Sequence, residues 1–259
     1  MNILLIGGSS FLMNQLIIKL KKEGHRVYLL TGKQSARKDY EKVFESYHFS
    51  YENDNLNEIF ASVSPDVTIF LGAYDTNFHW RERGREAVRY ISGLMNVLVA
   101  YSALKQGKFI YLSSEEVFGH GFEKDITEET PVCAGGFRGT ALMQAEHICE
   151  DYRVNWELDI FVLRLDHLYS IPKKRSEVDS ICSEMCLKAL ETGYIAVDRK
   201  GTYSFLYTSD AVEFIYKIVS ARKSREYLYH LSSSEPVTEL MLAEMIQKHM
   251  DQPVKIVEV

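Results

Sequence analysis

Short apolar runs alternate with stretches whose apolar residues recur at helical spacing over the first two thirds of the chain. Asn2 to Ile6 predicts a strand, and Phe11 to Glu23 predicts a helix with Leu12, Leu16, Ile17 and Leu20 on one face. Gly24 stops that helix. Arg26 to Leu30, Val67 to Leu71, Phe109 to Leu112 and Asp159 to Leu163 predict four more strands. These runs are continuously apolar, as strands are when helices cover both faces of their sheet. Strands separated by helices in this order predict right-handed crossovers and a parallel, doubly wound sheet.

From about Asp166 the rhythm changes. A helix over Val178 to Thr192, a short strand at Ile195 to Val197 and a helix over Ser209 to Ala221 are predicted. Tyr227 to Leu231 reads as a further strand. Thr238 to His249 reads as a helix with Thr238 as N-cap and Met241 at its third position, and Val254 to Val259 is a last apolar run. The expected fold is therefore α/β: a Rossmann-like, doubly wound parallel sheet over residues 1–165 and a smaller C-terminal lobe over 166–259. The lobe is expected to be incomplete and partly interleaved with the sheet, as in a natural short form or the front end of a longer protein.

Composition narrows the classes. At 259 residues, with 46% hydrophobic and 25% charged positions, the chain can bury a full core and is not a disordered one. A net charge of -6 argues against a nucleic-acid binder, which needs clustered Lys and Arg. No segment reads as a membrane crossing. The first apolar run ends in Gly7-Gly8-Ser9-Ser10 without a basic leader before it, so a cytoplasmic location is expected. Cys133, Cys149, Cys182 and Cys186 are too few and scattered for a disulfide framework. Cys182 and Cys186 have helical spacing, but no second pair or His completes a metal set, so free thiols are expected.

The strand, turn and helix at the start of the chain form a candidate anion site, because unpaired N–H groups and the helix dipole favour a pyrophosphate there. The turn reads Gly7-Gly8-Ser9-Ser10-Phe11-Leu12-Met13. A GxxGxxG spacing would place glycines at 7, 10 and 13. Only Gly7 remains; Ser10 is small and could donate to a phosphate, whereas Met13 is bulky. The turn either binds a dinucleotide through Gly7, Ser10, Phe11 and Leu12 or is a tight βα turn that binds nothing. The second strand ends without a carboxylate, at Leu30-Thr31-Gly32-Lys33, with Arg37 and Lys38 close behind. That favours NADP over NAD, the alternative being a solvated basic loop. Asp54, within Glu52-Asn53-Asp54-Asn55-Leu56, is a candidate acceptor for an adenine amine.

At Phe109 to Gly119 the chain becomes distinctive, reading FIYLSSEEVFG. The segment resembles the strand and loop of the NAD-dependent epimerase/dehydratase family, the extended short-chain dehydrogenases. Asp66 to Ala73 resembles that family's DVVIHLAA strand, with Leu71, Gly72 and Ala73 at the cofactor, joined there by Leu112. Leu163-Arg164 with Tyr169, Phe205 to Val212 with Asp210, and His230 to Glu239 resemble later family segments. The resemblance runs nearly the whole length. It implies a nicotinamide dinucleotide (NAD or NADP), a nucleotide-sugar ligand and a homodimer.

The resemblance makes Ser114 the catalytic hydroxyl. The family's YGxSK then supplies an acid/base Tyr and a Lys that lowers its pKa and holds the nicotinamide ribose. Here Phe137 stands at the Tyr position and Ala141 at the Lys position. Phe keeps the ring without the proton, and Ala removes the charge; general acid/base catalysis is typically worth about 10² to 10⁴-fold. The family's Asn on the preceding helix is missing from Tyr90-Ile91-Ser92-Gly93-Leu94, an Arg that reads sugar-nucleotide phosphate is missing from Gly201 to Phe205, and Asp166-His167-Leu168 replaces a further Asn. Glu115, Glu116 and His120 are candidate replacement bases. Tyr101 with Lys105 is a second YxxxK, expected on the wrong side of the sheet. His79, Trp80, Arg81, Arg83 and Arg85 form a cationic, aromatic patch that meets an anionic ligand or is a solvated helix face. Two readings follow: a dinucleotide-binding, catalytically impaired sensor, scaffold or partner subunit, or an active epimerase, dehydratase or reductase with an atypical acid/base.

Overall fold

The computed structural model describes residues 1–8, 10–32, 43–50, 55–80, 83–119, 126–172, 180–198, 201–222, 226–233 and 235–259, with the single positions 175, 178 and 224. Lys33, Arg37, Lys38, Glu52, Asn53, Asp54, Arg81 and His120 lie outside the described residues, as does the side chain of Arg83. The chain forms two compact units. The first is Met1–Arg164 with Val212–His230, and the second is Leu165–Ala211 with Leu231–Val259.

The first unit is built on a seven-stranded parallel sheet. In chain order its elements begin β1 (Asn2–Ile6), α1 (Phe11–Lys22), β2 (Arg26–Gly32), β3 (Glu45–Phe49), α2 (Asn57–Val63) and β4 (Val67–Phe70). They continue with α3 (Arg83–Leu104), β5 (Lys108–Ser114), α4 (Gly136–Asn155) and β6 (Asp159–Leu165). Most of α6 (Thr208–Ser220) and β11 (Leu228–Leu231) complete the unit. The strand order is β11-β6-β5-β4-β1-β2-β3, so β1 lies between β2 and β4, with Leu4 facing Tyr28 on one side and Thr68 on the other. After β3 the chain crosses back to the other side of β1. In open α/β sheets the crevice beyond the carboxyl ends of the strands at such a reversal is where ligands bind.

The predicted strands form, with shifted ends. β5 begins at Lys108, whose buried ammonium donates to the carbonyls of Ile218 (2.5 Å) and Ala221 (2.7 Å) at the end of α6. β3 was not legible in the pattern: Glu-Ser-Tyr-His-Phe buries only Phe49 fully, as suits an edge strand.

Helix α3 corrects the expectation that no segment could cross a membrane. Gly84–Leu104 is 21 residues long with mean hydropathy 1.3, enough by length and composition alone, and 39% of that window is buried. Its Tyr90, Leu94, Val97, Leu98, Ala100 and Tyr101 belong to the core cluster with Phe70, Phe109, Tyr111 and Leu142. Much of its apolarity thus belongs to the core, while Val88 and Val99 remain exposed.

Among the described residues the second unit holds three two-stranded pairings. β7 (His167–Tyr169) runs parallel to β10 (Phe205–Tyr207), and β9 (Thr202–Tyr203) antiparallel to β12 (Val237–Thr238). β13 (Lys255–Glu258) runs parallel to β8 (Tyr194–Val197), so the last apolar run has a strand partner. α5 (Ile181–Thr192) and α7 (Glu239–Lys248) pack against β8 through Met185, Ala189, Ile195, Val197, Leu242 and Ile246. α5 starts three residues later than Val178 because Ser180 and Ser183 form a capping box. α7 starts as expected, Thr238 Oγ1 accepting from the Met241 N–H at 3.1 Å. All four cysteines are free, Cys149 being fully buried and Cys133 exposed.

Candidate functional site

The reversal places the ends of β1 and β4 side by side, and the chain leaves β1 through the glycine turn. Gly7 donates its N–H to Leu30 O at 3.0 Å and takes φ +148°, and a Cβ on it would lie 2.9 Å from Leu71 Cβ. Ser10 caps α1, its Oγ accepting from the Met13 N–H at 3.1 Å, and the first turn of α1 carries no acidic residue. Phe11 and Leu12 therefore open a helix N-terminus suited to an anion. Met13, where a third glycine was expected, is fully buried in the packing of α1.

One neighbour was not anticipated. Asp75 is 4% exposed, and its Oδ1 accepts from the Gly8 N–H at 2.6 Å, the Asn77 N–H at 2.9 Å and Asn77 Nδ2 at 2.8 Å. A Cβ on Gly8 would lie 2.3 Å from Thr76 Oγ1 and 2.9 Å from Asn77 N, so the second glycine is needed for the approach of this segment. Arg89 holds the segment, donating from Nη1 to Asn77 O (3.2 Å) with its guanidinium 5.1 Å from the Phe78 ring centroid. The only sequence signal was an Asp shortly after the β4 motif.

Leu71, Gly72 and Ala73 are buried where β4 ends. Gly72 has φ +52°, and a Cβ there would lie 2.2 Å from Leu112 O and 2.7 Å from Tyr111 Cε2. It lets the chain after β4 lie against β5, which brings Leu112 to the same crevice. Tyr90, at the position of the lost Asn, is fully buried with its hydroxyl 2.6 Å from that of Tyr111. Its ring packs against Phe70, Phe78 and Trp80. Burial pushes both phenols well above their ordinary range, so both stay protonated.

Ser114 ends β5, is 3% exposed and caps a 3-10 turn over Glu115–Phe118. Its Oγ donates to Glu115 Oε2 at 2.8 Å and accepts from the Glu116 N–H at 3.3 Å. An ionisable group therefore does stand beside the hydroxyl. On α4, Phe137 is 56% exposed and Ala141 is 3% exposed. Arg138 is the residue that reaches across, donating from Nη2 to Ala73 O at 2.9 Å and pairing with Glu116. Arg138 leads the helix stripe of Leu142, Ala145, Glu146 and Cys149, all buried. Neither 137 with 141 nor 138 with 142 carries a Tyr or a Lys. Behind Ser114, Ser113 donates to Glu146 Oε1 at 2.5 Å, and Arg164 pairs with the same carboxylate.

Other candidates lie elsewhere or alone. The Tyr101 hydroxyl donates to Gly107 O (2.9 Å) and Asp159 O (3.3 Å), just before β5 and at the start of β6, the edge opposite Ser114. His79 and Arg85 are exposed and Trp80 is half-buried. Asp210 is exposed in the first turn of α6, and in the second unit His167 packs edge-on against Tyr203 at 4.8 Å. Among the described residues no cluster of His, Cys, Asp or Glu is placed to hold a metal.

Similar proteins share this architecture. A dTDP-D-glucose 4,6-dehydratase of Dictyostelium discoideum is 23% identical over 94% of this chain, which spans 61% of that protein's length. The structure of UDP-glucuronic acid 4-epimerase from Bacillus cereus, in complex with UDP-glucuronic acid and NAD, superposes with a TM-score of 0.85 at 19% identity, covering 100% of this chain and 86% of that one. UDP-glucose 4-epimerase from Thermotoga maritima with UDP-glucose gives 0.84 at 20% identity, over 98% and 85%. The family model for the NAD dependent epimerase/dehydratase family matches residues 3–229. With its glycine turn at the β1/β4 reversal and its serine at the end of β5, this chain belongs to the NAD dependent epimerase/dehydratase family.

Proposed function

We propose that this chain binds a nicotinamide dinucleotide, and a nucleotide-sugar beside it, but has lost the family's proton-transfer centre, and that it serves as a sensor, scaffold or partner subunit. The observation that carries the reading is the start of α4. Phe137, Arg138, Ala141 and Leu142 offer neither a phenol nor an ammonium next to Ser114. A bound dinucleotide would supply a hydride acceptor. The protein's part would be to hold the pyrophosphate at Gly7, Ser10, Phe11 and Leu12 and to bury the nicotinamide side against Leu71, Gly72, Ala73 and Leu112. The basic residues Lys33, Arg37 and Lys38 support NADP over NAD, and the B. cereus relative's complex holds NAD.

The test is dinucleotide binding by calorimetry with NAD and NADP, followed by turnover of UDP- and dTDP-sugars. Binding without hydride transfer is the expected result. Turnover abolished by Ser114→Ala overturns it.

One contact favours a second reading, an active epimerase, dehydratase or reductase with an atypical acid/base. Glu115 stands 2.8 Å from the Ser114 hydroxyl, within reach for proton exchange. Turnover lost in Glu115→Gln and kept in Glu116→Gln would decide for it.

A further inference from the structure

The anion site at the glycine turn is partly filled by the protein's own carboxylate. An N–H of a βα turn at the start of a helix ordinarily faces the ligand's phosphate or water. In this chain the Gly8 N–H is spent on Asp75 Oδ1, at 2.6 Å and out of contact with solvent. Two more donors, the backbone N–H and the side-chain amide of Asn77, converge on the same oxygen. The packing leaves Asp75 little room to withdraw. Gly8 sits against Thr76 and Asn77, Arg89 grips the Asn77 carbonyl, and Phe78 is 5% exposed beneath the Arg89 guanidinium.

We infer that Asp75 is a specificity-determining residue of the glycine turn, a built-in anion that disfavours a ligand's pyrophosphate and so weakens dinucleotide binding. Asp75 lies against the turn, its Cγ 3.4 Å from where a Cβ on Gly7 would stand, and like charges repel more strongly at a protein surface of low effective dielectric than in water. The carboxylate also takes a hydrogen bond that the turn would otherwise offer. Ligands carrying less charge at that point, such as a nucleoside or a nucleoside monophosphate, lose less by its presence than a diphosphate does. The inference rests on the dinucleotide reading and adds to it that the turn itself limits the affinity.

The experiment is calorimetric titration of the full chain with NAD, NADP, inorganic pyrophosphate and adenosine, for wild type, Asp75→Asn and Asp75→Ser. Asp75→Asn keeps an oxygen to accept from Gly8 while removing the charge, and Asp75→Ser covers the case in which the new amide turns its nitrogen toward that N–H. Tightening of the dinucleotide dissociation constant by about tenfold or more in either folded variant is expected, with a smaller change for adenosine. The wild-type protein supplies a second measurement: raising the ionic strength from about 0.02 to about 0.5 M screens the repulsion and should strengthen binding. Dinucleotide affinity equal to or weaker than wild type in both variants, or wild-type affinity that falls with salt if neither variant folds, overturns the inference while the dinucleotide reading stands. No binding of NAD or NADP to any of the proteins overturns both.

Discussion

Arg164 donates through Nε (3.1 Å) and Nη2 (2.7 Å) to the carboxylate of Glu146, joining β6 to α4 with both side chains almost wholly buried. Ser113 donates to the same carboxylate, and the Arg164 guanidinium lies 4.9 Å from the Phe118 ring centroid. The three residues fix the end of β5 from behind, one position before Ser114. A buried pair of this kind is worth little against a well-packed apolar substitute, but removal of one partner leaves an uncompensated charge. Glu146→Gln and Arg164→Met should each lower stability by about 3 kcal/mol in urea unfolding. The double variant Glu146→Leu with Arg164→Met should recover most of that loss, and a double variant less stable than Arg164→Met alone would contradict the account.

Restoring the family's residue types is expected to fail at the positions where the sequence aligns them. Ala141 is enclosed, so a Lys there overpacks the helix against the sheet and should cost about 1–3 kcal/mol. Phe137→Tyr with Ala141→Lys should therefore unfold at lower denaturant concentration and gain no hydride transfer. Gain of turnover on a UDP-sugar, followed as reduced cofactor absorbance, would show that residue 137 does face the chemistry.

Gly72→Ala should be among the most destabilising single substitutions in the sheet. The new methyl meets a backbone carbonyl, Leu112 O, which cannot swing aside as a flexible side chain can, and φ +52° is itself unfavourable for alanine. A loss of roughly 2–4 kcal/mol is expected. Thermal unfolding checks it, with Gly24→Ala, where a Cβ meets nothing within 4 Å, as the control for positive φ alone.

His25 makes stability depend on pH in a defined direction. Burial of its ring holds the imidazole below its ordinary value of 6.5, and its Nε2 is buried without a hydrogen-bond partner. The folded state thus binds the proton less readily than the unfolded chain. The contribution is fully present above 6.5 and is lost as pH falls below 6.5 toward the lowered folded value. Melting temperature should therefore drop between about pH 7 and pH 5 by less in His25→Gln than in wild type, and parallel pH curves would contradict the assignment.

Legibility followed the range of the interaction that creates each feature. The runs at Ile3–Ile6, Val67–Phe70 and Phe109–Leu112 were readable because a buried parallel strand advertises itself in consecutive residues. Thr238 was readable as a small polar residue at a helix start, since a cap is satisfied within three residues of itself, whereas Ser10, read as a phosphate donor, proved to cap α1 as well. β3 was not, because an edge strand has no need of an apolar run. Helix α3 was missed as a span by length and composition: the residues that make it a core helix also make it apolar enough to cross a bilayer by that measure.

At the site the same division holds. The glycine turn, Ser114, and the Phe137 and Ala141 that stand where the resemblance expects a Tyr and a Lys could be seen in the order of residues. The contacts of Asp75 with Gly8, Arg138 with Ala73 and Arg164 with Glu146 could not, because they join positions 67, 65 and 18 residues apart. The return of residues 212–230 to the first unit is of that kind as well. Local pattern alone determined the sheet class and most of its strands, since each is encoded in neighbouring side chains. The tertiary structure decided which carboxylate meets the turn, which arginine reaches the end of β4 and what stands beside Ser114, because a hydrogen bond is set by where the folded backbone carries its two ends.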